Sequence, residues 1–315
     1  MIVKAPVNSL RSAELQCKYG AKEIYLGLRS DKLNRLSFSG RGSIKVDKKG
    51  SNSNIESGEE LNKIISHCHE KGVSVALAAN CPSLPDAMKD GYEEYINEVI
   101  ELGVDSIIVG DLASLILVRK IIPKDFYVTA SVFMESYNIG VVQMLKHLGA
   151  NEVYIPHHLK YDEIEKICDE GLNIGVFANY GCSFSNGRCG LIHRWGEEID
   201  MGIPCRAKFD ISSKNGSIKD AYPILDFGLD CCLCTIKKLM DFNIHSLKLI
   251  DRATPVEQVL PFTKVYSTAI KMFQEGKNLD EIKAMAFKTV PWWENQFCAT
   301  KNCRYMDNCY SSYYI

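Results

Sequence analysis

A strand-then-helix unit repeats along this chain, and that repetition limits the fold more than any other feature. Short runs rich in apolar and β-branched residues recur at Ile2–Val7, Glu23–Leu28, Ser74–Asn80, Ser106–Asp111, Phe126–Ser131, Glu152–His157, Asn173–Asn179 and Ser246–Asp251, each followed by a helical pattern. Three of them are introduced by one phrase: Gly20-Ala-Lys-Glu-Ile-Tyr-Leu, Gly103-Val-Asp-Ser-Ile-Ile-Val and Gly149-Ala-Asn-Glu-Val-Tyr-Ile. In each, the glycine closes the preceding helix and a buried strand follows. Helix starts are legible too, as in Ser57-Gly-Glu-Glu60, read as a capping box ahead of Leu61, Ile64 and Ile65. Near-continuous apolar strands joined by crossover helices must pair in parallel and be covered on both faces. The pattern therefore predicts an α/β fold, a closed (β/α)8 TIM-like barrel, with an open doubly wound sheet as the alternative. The barrel domain is read as residues 1–275, with a long cysteine-bearing loop, 180–234, after the seventh strand. Residues 276–315 are read as a helical, Cys- and aromatic-rich extension packed on the barrel.

A hydrophobic content of 46% across 315 residues suffices for an extended core. The charge is balanced, 37 basic against 39 acidic residues, which argues against a nucleic-acid binder working through a basic surface. The start of the chain lacks a basic segment followed by an apolar stretch, and no apolar run reaches the roughly 18 residues of a membrane span. A cytoplasmic protein is expected. On the barrel reading the strand ends ring one mouth, and they supply Asn8, Arg29, Asn80 with Cys81, Asp111, Ser131, His157, Asn179, and Asp251 with Arg252. Of these, Asn80, Asp111, His157 and Arg252 are the candidate catalytic set. The competing role for each is a helix cap or a loop hydrogen bond.

Thirteen cysteines in a chain without a sign of export point to metal or redox chemistry rather than disulfides. Cys17, Cys68 and Cys168 stand alone in helical patterns and read as small core residues. Cys182, Cys189, Cys205, Cys231, Cys232 and Cys234 all fall between the seventh strand and the helix that follows, so a folded loop can gather four thiolates on one face of the barrel. Cys231, Cys232 and Cys234 are read as opening that helix, where its dipole is positive. Structural zinc uses the same donors but favours tight C-x2-C pairs, and the wider spacings here lean toward iron–sulfur; unligated thiols are the third reading. Cys298, Cys303 and Cys309 can hold a second cluster if Cys234, Cys231 or Cys81 supplies another ligand, or they are free thiols of a tail. Trp292, Trp293, Tyr310, Tyr313 and Tyr314 beside them suggest that this tail docks on the barrel or on a partner.

The segment Cys182-x4-Gly187-x-Cys189, preceded by Gly175-Val-Phe177, resembles the signature of peptidase family U32, the collagenase-like proteases. The likeness extends over roughly residues 1–260 and takes in Ala5-Pro-Val-Asn8, the Gly20 and Gly103 phrases, Asp162-Glu-Ile164, Asp230-x-Cys232-Leu and Ser246-Leu-Lys-Leu-Ile-Asp-Arg252. The resemblance, closest in kind to the UbiU and UbiV proteins of ubiquinone biosynthesis, implies a [4Fe-4S] cluster held by Cys182, Cys189, Cys205 and Cys232. It also implies oxygen-independent hydroxylation with prephenate as oxygen donor. Two departures fall at the presumed active face: Asn179-Tyr180-Gly181 stands where relatives carry His-Gly, and His157-His158 where they carry Arg-Glu. Cys231 and Cys234 flank the expected fourth ligand and can substitute for it.

Three functions follow as expectations. The first is an oxidoreductase acting on a small-molecule or biosynthetic intermediate, in which Asn80, Asp111, His157 and Arg252 orient the reactants. The second is hydrolysis, for which neither a G-x-S-x-G elbow nor an H-E-x-x-H helix is visible and a Cys81–His157 dyad is the one candidate. The third is a non-catalytic iron–sulfur subunit, paired in a heteromer with a second U32-family protein.

Overall fold

The computed structural model describes residues 1–33, 37–40, 53–156, 158–179, 207–222, 229–252 and 254–305. In chain order the elements are β1 (Ile2–Pro6), α1 (Leu10–Lys18), β2 (Glu23–Leu26), α2 (Gly58–Glu70), β3 (Ser74–Ala79), α3 (Lys89–Glu101), β4 (Ser106–Val109) and α4 (Leu112–Ile121). There follow β5 (Tyr127–Ala130), α5 (Ile139–His147), β6 (Glu152–Tyr154), α6 (Tyr161–Cys168), β7 (Asn173–Phe177), β8 (Phe209–Ser213), β9 (Gly216–Tyr222), α7 (Ile236–Asp241), β10 (Ser246–Lys248), α8 (Val256–Gln274) and α9 (Leu279–Thr289). A closed barrel runs β1-β10-β7-β6-β5-β4-β3-β2, and every neighbouring pair in it is parallel. The expected TIM-like barrel is therefore the fold, and each of the eight strands read from the sequence contains one of its staves.

The glycines of the repeated phrase behave as their sequence suggests. Gly20, Gly103 and Gly149 carry φ values of 102°, 93° and 96°, a left-handed conformation that stops each helix and turns the chain into the next strand. The Ser57 cap is only half of the expected box. Ser57 accepts the Glu60 N–H, but the Glu60 carboxylate receives the Leu10 N–H at 3.3 Å, tying α2 to the start of α1 instead of closing on its own helix. A second difference lies near Cys232. A 3₁₀ turn over Leu233–Thr235 precedes α7, which has only 6 residues, so the helix dipole expected to act on these cysteines is that of a short element. The antiparallel β8–β9 hairpin, joined across Lys214-Asn215, was not anticipated, although Asn215-Gly216 is a strong short-range hairpin signal.

Alternation along the strands explains what the barrel encloses. Along β1, Val3, Ala5 and Val7 face the helices while Lys4 faces inward; along β2, Ile24 and Leu26 face out while Glu23 and Tyr25 face in; along β10, Leu247 and Leu249 face out while Ser246 and Lys248 face in. The Lys4 ammonium contacts Glu23 at 2.9 Å and Glu152 at 2.5 Å, and the Glu152 carboxylate also accepts from Ser246 at 2.5 Å and Thr129 at 3.3 Å. Burial lowers the Lys4 pKa, but the two carboxylates outweigh it and leave the group above its ordinary value.

The segment after α8 covers one side of the barrel. Trp293 is 0% exposed and meets the rings of Phe262, Tyr266 and Phe297 with centroids 5.2, 5.6 and 5.0 Å away. The tail then pairs, through an isolated parallel bridge, Cys303 with Cys231. Near residue 305 the tail reaches the end of β7, where Tyr305 Oη donates to the Phe177 carbonyl at 3.0 Å; Cys309, Tyr310, Tyr313 and Tyr314 lie outside the described residues. Among the described residues no helix is long and apolar enough to cross a membrane.

Candidate active site

The C-terminal ends of the barrel strands surround a cavity of about 90 Å³, with Tyr25, Asn80, Ser131, Phe177, Lys248 and Arg252 among its walls. β3 delivers Asn80, whose side chain accepts the Gly40 N–H at 3.1 Å and donates to Ser131 Oγ at 3.3 Å, fixing the amide across the mouth. Arg252 is 5% exposed; it donates to Asn54 Oδ1 at 3.0 Å and to Ser39 Oγ, and Asn8 donates to its backbone carbonyl at 2.9 Å. The preceding residue, Asp251, is held at φ 108°, a strained backbone at the rim of the cavity.

The geometry separates the candidate residues. Asn80 and Arg252 come together at the cavity. Asp111 does not line it: one carboxylate oxygen caps α4 through the Ser114 N–H at 2.7 Å, and the other accepts the Leu84 N–H at 2.7 Å. Its carboxylate is committed to backbone, the structural role weighed against proton transfer. Ser131 likewise caps a turn through Phe133. Asn179 ties β7 to the end of β10, accepting the Ile250 N–H at 2.8 Å. His157 lies outside the described residues.

Sequence reasoning missed Lys248. Its signal was a charge in mid-strand: Ser246, Lys248, Ile250 and Arg252 alternate with core leucines and so share the inward face. Lys248 is 8% exposed, and its ammonium position lies 4.2 Å from the Tyr25 ring centroid and 4.5 Å from that of Tyr154. Burial lowers its pKa to about 7, with Lys4 and Arg252 adding to the shift and Glu152 and Glu23 opposing it.

Glycine keeps this mouth open. A Cβ on Gly27 falls 2.0 Å from Asn54 Oδ1 and 2.6 Å from Arg252 Nη1, so only glycine permits the Asn54–Arg252 bond beside it. Gly27→Ala is expected to displace Arg252 and to lower stability by roughly 1–3 kcal/mol, the usual range for overpacking, read as a shift in denaturation midpoint.

Of the expected cluster ligands, Cys232 is within the described residues, and Cys182, Cys189 and Cys205 lie outside them. Cys232 is 0% exposed and sits close to the end of β7: its N–H donates to Tyr266 Oη at 3.2 Å, and that hydroxyl donates to the Ala178 carbonyl at 3.0 Å. Burial pushes its thiol up to about 12, and the Arg304 guanidinium works against that shift. Arg304 is itself buried, paired with Asp230 at 2.7 Å and donating to the Asn179 carbonyl at 3.0 Å. Cys231 is buried beside Cys232, Cys234 and Cys303 are half-buried, and Cys298 is exposed. Among the described residues no three His, Cys, Asp or Glu side chains converge as a metal site, so Cys234, Cys298 and Cys303 do not form one by themselves. Cys17 and Cys68, read as separate core residues, in fact meet across α1 and α2 with sulfurs 3.6 Å apart.

The model of peptidase family U32 matches residues 8–312. An uncharacterized protease of Methanocaldococcus jannaschii is 25% identical over 298 residues, covering 89% of this chain and 67% of that protein. A collagenase of Porphyromonas gingivalis is 21% identical over 325 residues, covering 98% of this chain and 73% of that protein. A solved U32 peptidase superposes with a TM-score of 0.51 at 10% identity, covering 80% of this chain and 93% of that one, a likeness of fold.

Proposed function

Since the chain belongs to peptidase family U32, we propose that it is an iron–sulfur enzyme whose barrel mouth carries out oxygen-independent redox modification of a small molecule. The reading that goes furthest is hydroxylation of a biosynthetic intermediate, with prephenate as the donor. Cys232 carries the proposal. It is a fully buried thiol next to the end of β7, flanked by two further cysteines and faced by a buried arginine, and a thiolate-ligated cluster of net negative charge suits that place. Cys182, Cys189 and Cys205 would complete the [4Fe-4S] ligand set. When bound, the cluster would supply electron transfer. The chain's own part is then positional: Arg252 offers a guanidinium fork to a carboxylate, Asn80 offers a fixed amide, and the rings of Tyr25 and Phe177 exclude water. A non-catalytic role beside a second U32-family protein is the variant of this reading in which the partner supplies the reacting groups.

Iron and sulfide per chain, measured after anoxic purification, test the proposal. About four of each is expected, falling below one in Cys232→Ala and in Cys189→Ala and unaltered in Cys17→Ala. Iron unaffected by both Cys232→Ala and Cys189→Ala, or zinc in its place, removes the reading. Turnover only on mixing with a second U32 protein selects the heteromer.

The names of the two relatives favour a second reading, peptide hydrolysis. Its nucleophile would be Cys81, half-buried at the end of β3. Gelatin cleavage that disappears in Cys81→Ala, in iron-free protein, would establish it.

A further inference from the structure

Two lysines point into this barrel, and they are treated differently. Lys4 takes both interior carboxylates, Glu23 and Glu152. Lys248, one layer nearer the mouth, has no hydrogen-bond or ion-pair partner among the described residues; it lies between the faces of Tyr25 and Tyr154 and lines the cavity. A lysine kept only for stability is expected to reach a carboxylate or the solvent. Here the amine meets no carboxylate and is presented to a cavity whose opposite wall carries Asn80 and Ser131.

We propose that Lys248 is a covalent catalytic group of this mouth, its amine forming an imine with the carbonyl carbon of a small keto or aldehyde substrate. The proposal rests on the barrel mouth being the reacting face. The amine nitrogen adds to the carbonyl carbon, and the carbonyl π pair takes up a proton to give a carbinolamine. Loss of that hydroxyl as water, with the amine's protons balancing it, leaves the C=N bond and consumes neither oxidant nor reductant. The step needs a neutral amine, and the surroundings provide one. Burial, Lys4 and Arg252 disfavour the ammonium, while Glu23 and Glu152 favour it without touching it. Tyr25 and Tyr154 meet the amine through their rings; their hydroxyls are engaged elsewhere, Tyr25 with the Leu249 carbonyl and Tyr154 with Ser246. Arg252 and Asp251 line the same cavity, and the guanidinium gives an anionic group on the substrate a cationic wall.

Reductive trapping tests this on the whole chain. The protein is incubated with glyoxylate and cyanoborohydride across pH 6–10, and the modified lysines are mapped by peptide mass spectrometry. At pH 7, Lys248 is expected to be labelled at least about tenfold faster than exposed lysines such as Lys63 and Lys237, because a lysine with a depressed pKa is the more nucleophilic one there. Its labelling should level off near pH 8 while theirs still rises. Label on the exposed lysines with Lys248 untouched, or Lys248 labelled only after unfolding in urea, overturns the proposal. Iron is assayed on the same sample so that the two readings fail separately: trapping at Lys248 in protein that binds no iron keeps the imine and removes the cluster, and iron with an unreactive Lys248 does the reverse.

Discussion

Replacing Glu152 with alanine is expected to cost about 3–5 kcal/mol of stability, the range for removing one partner of a buried ion pair. Glu152 is 0% exposed and serves Lys4, Ser246, Thr129 and Tyr127 together, so the truncation leaves a buried ammonium with only Glu23 and takes an acceptor from three hydroxyls. The denaturation midpoint reads the loss. Two further variants decide its cause. Glu152→Gln keeps the hydrogen-bond acceptor without the charge and should lose less. The triple variant Lys4→Met, Glu23→Gln, Glu152→Leu, which removes all three charges of the cluster, should recover much of the loss, since hydrophobic replacement of a buried ionic cluster is often neutral or better. A triple variant as unstable as Glu152→Ala would mean that strand packing, not uncompensated charge, sets the cost. The Lys4 contribution also has a definite pH window. Its folded pKa is raised, so the stabilisation is fully present below the unfolded value and is lost as pH rises through the folded one.

The same interior shows how far the sequence could be read. The staves were legible because each is short and apolar and most follow a helix ended at a glycine such as Gly103 or Gly149, features that are local in the chain. The charges among them carry no local mark of where they sit. Lys4, Glu23, Glu152 and Lys248 sit within runs that read as continuously apolar, and only the closure of the barrel brings residues 148 positions apart, Lys4 and Glu152, into contact. Asp111 shows the opposite limit. A strand-end aspartate at the mouth of a barrel is a fair catalytic candidate, yet Ser114 three residues on already spelled a capping box, and the cap is where its carboxylate went. Arg252 and Asn80 were found by position alone, because every strand of a parallel barrel ends at the same mouth. The cysteines belong to a third kind. Their clustering between two elements was plain from the sequence, but which sulfurs meet depends on a long loop whose path no local pattern fixes.

Lys248→Met is expected to make the protein more stable at pH 6–7 while erasing part of its pH dependence, and the sign follows from the depressed pKa. A lysine near 7 in the folded chain and 10.5 in the unfolded one is protonated mainly in the unfolded chain between those values, so stability rises with pH across that window and the full penalty applies below it. A shift of that size corresponds to about 5 kcal/mol, at about 1.4 kcal/mol per pKa unit. The two tyrosine faces at 4.2 and 4.5 Å favour the ammonium by about 1–2 kcal/mol, leaving roughly 3–4 kcal/mol as the expected gain near pH 6. Methionine fills nearly the same volume and keeps contact with both rings, so its packing cost stays below about 1.5 kcal/mol and does not reverse the sign. Parallel denaturation series on both proteins from pH 6 to pH 10 isolate the effect, since every other titrating group is common to them. Parallel curves would mean that Lys248 keeps its proton in the folded barrel, and an amine that stays charged at neutral pH cannot attack a carbonyl. The stability measurement and the trapping experiment thus examine the same protonation equilibrium, one through folding and the other through reactivity.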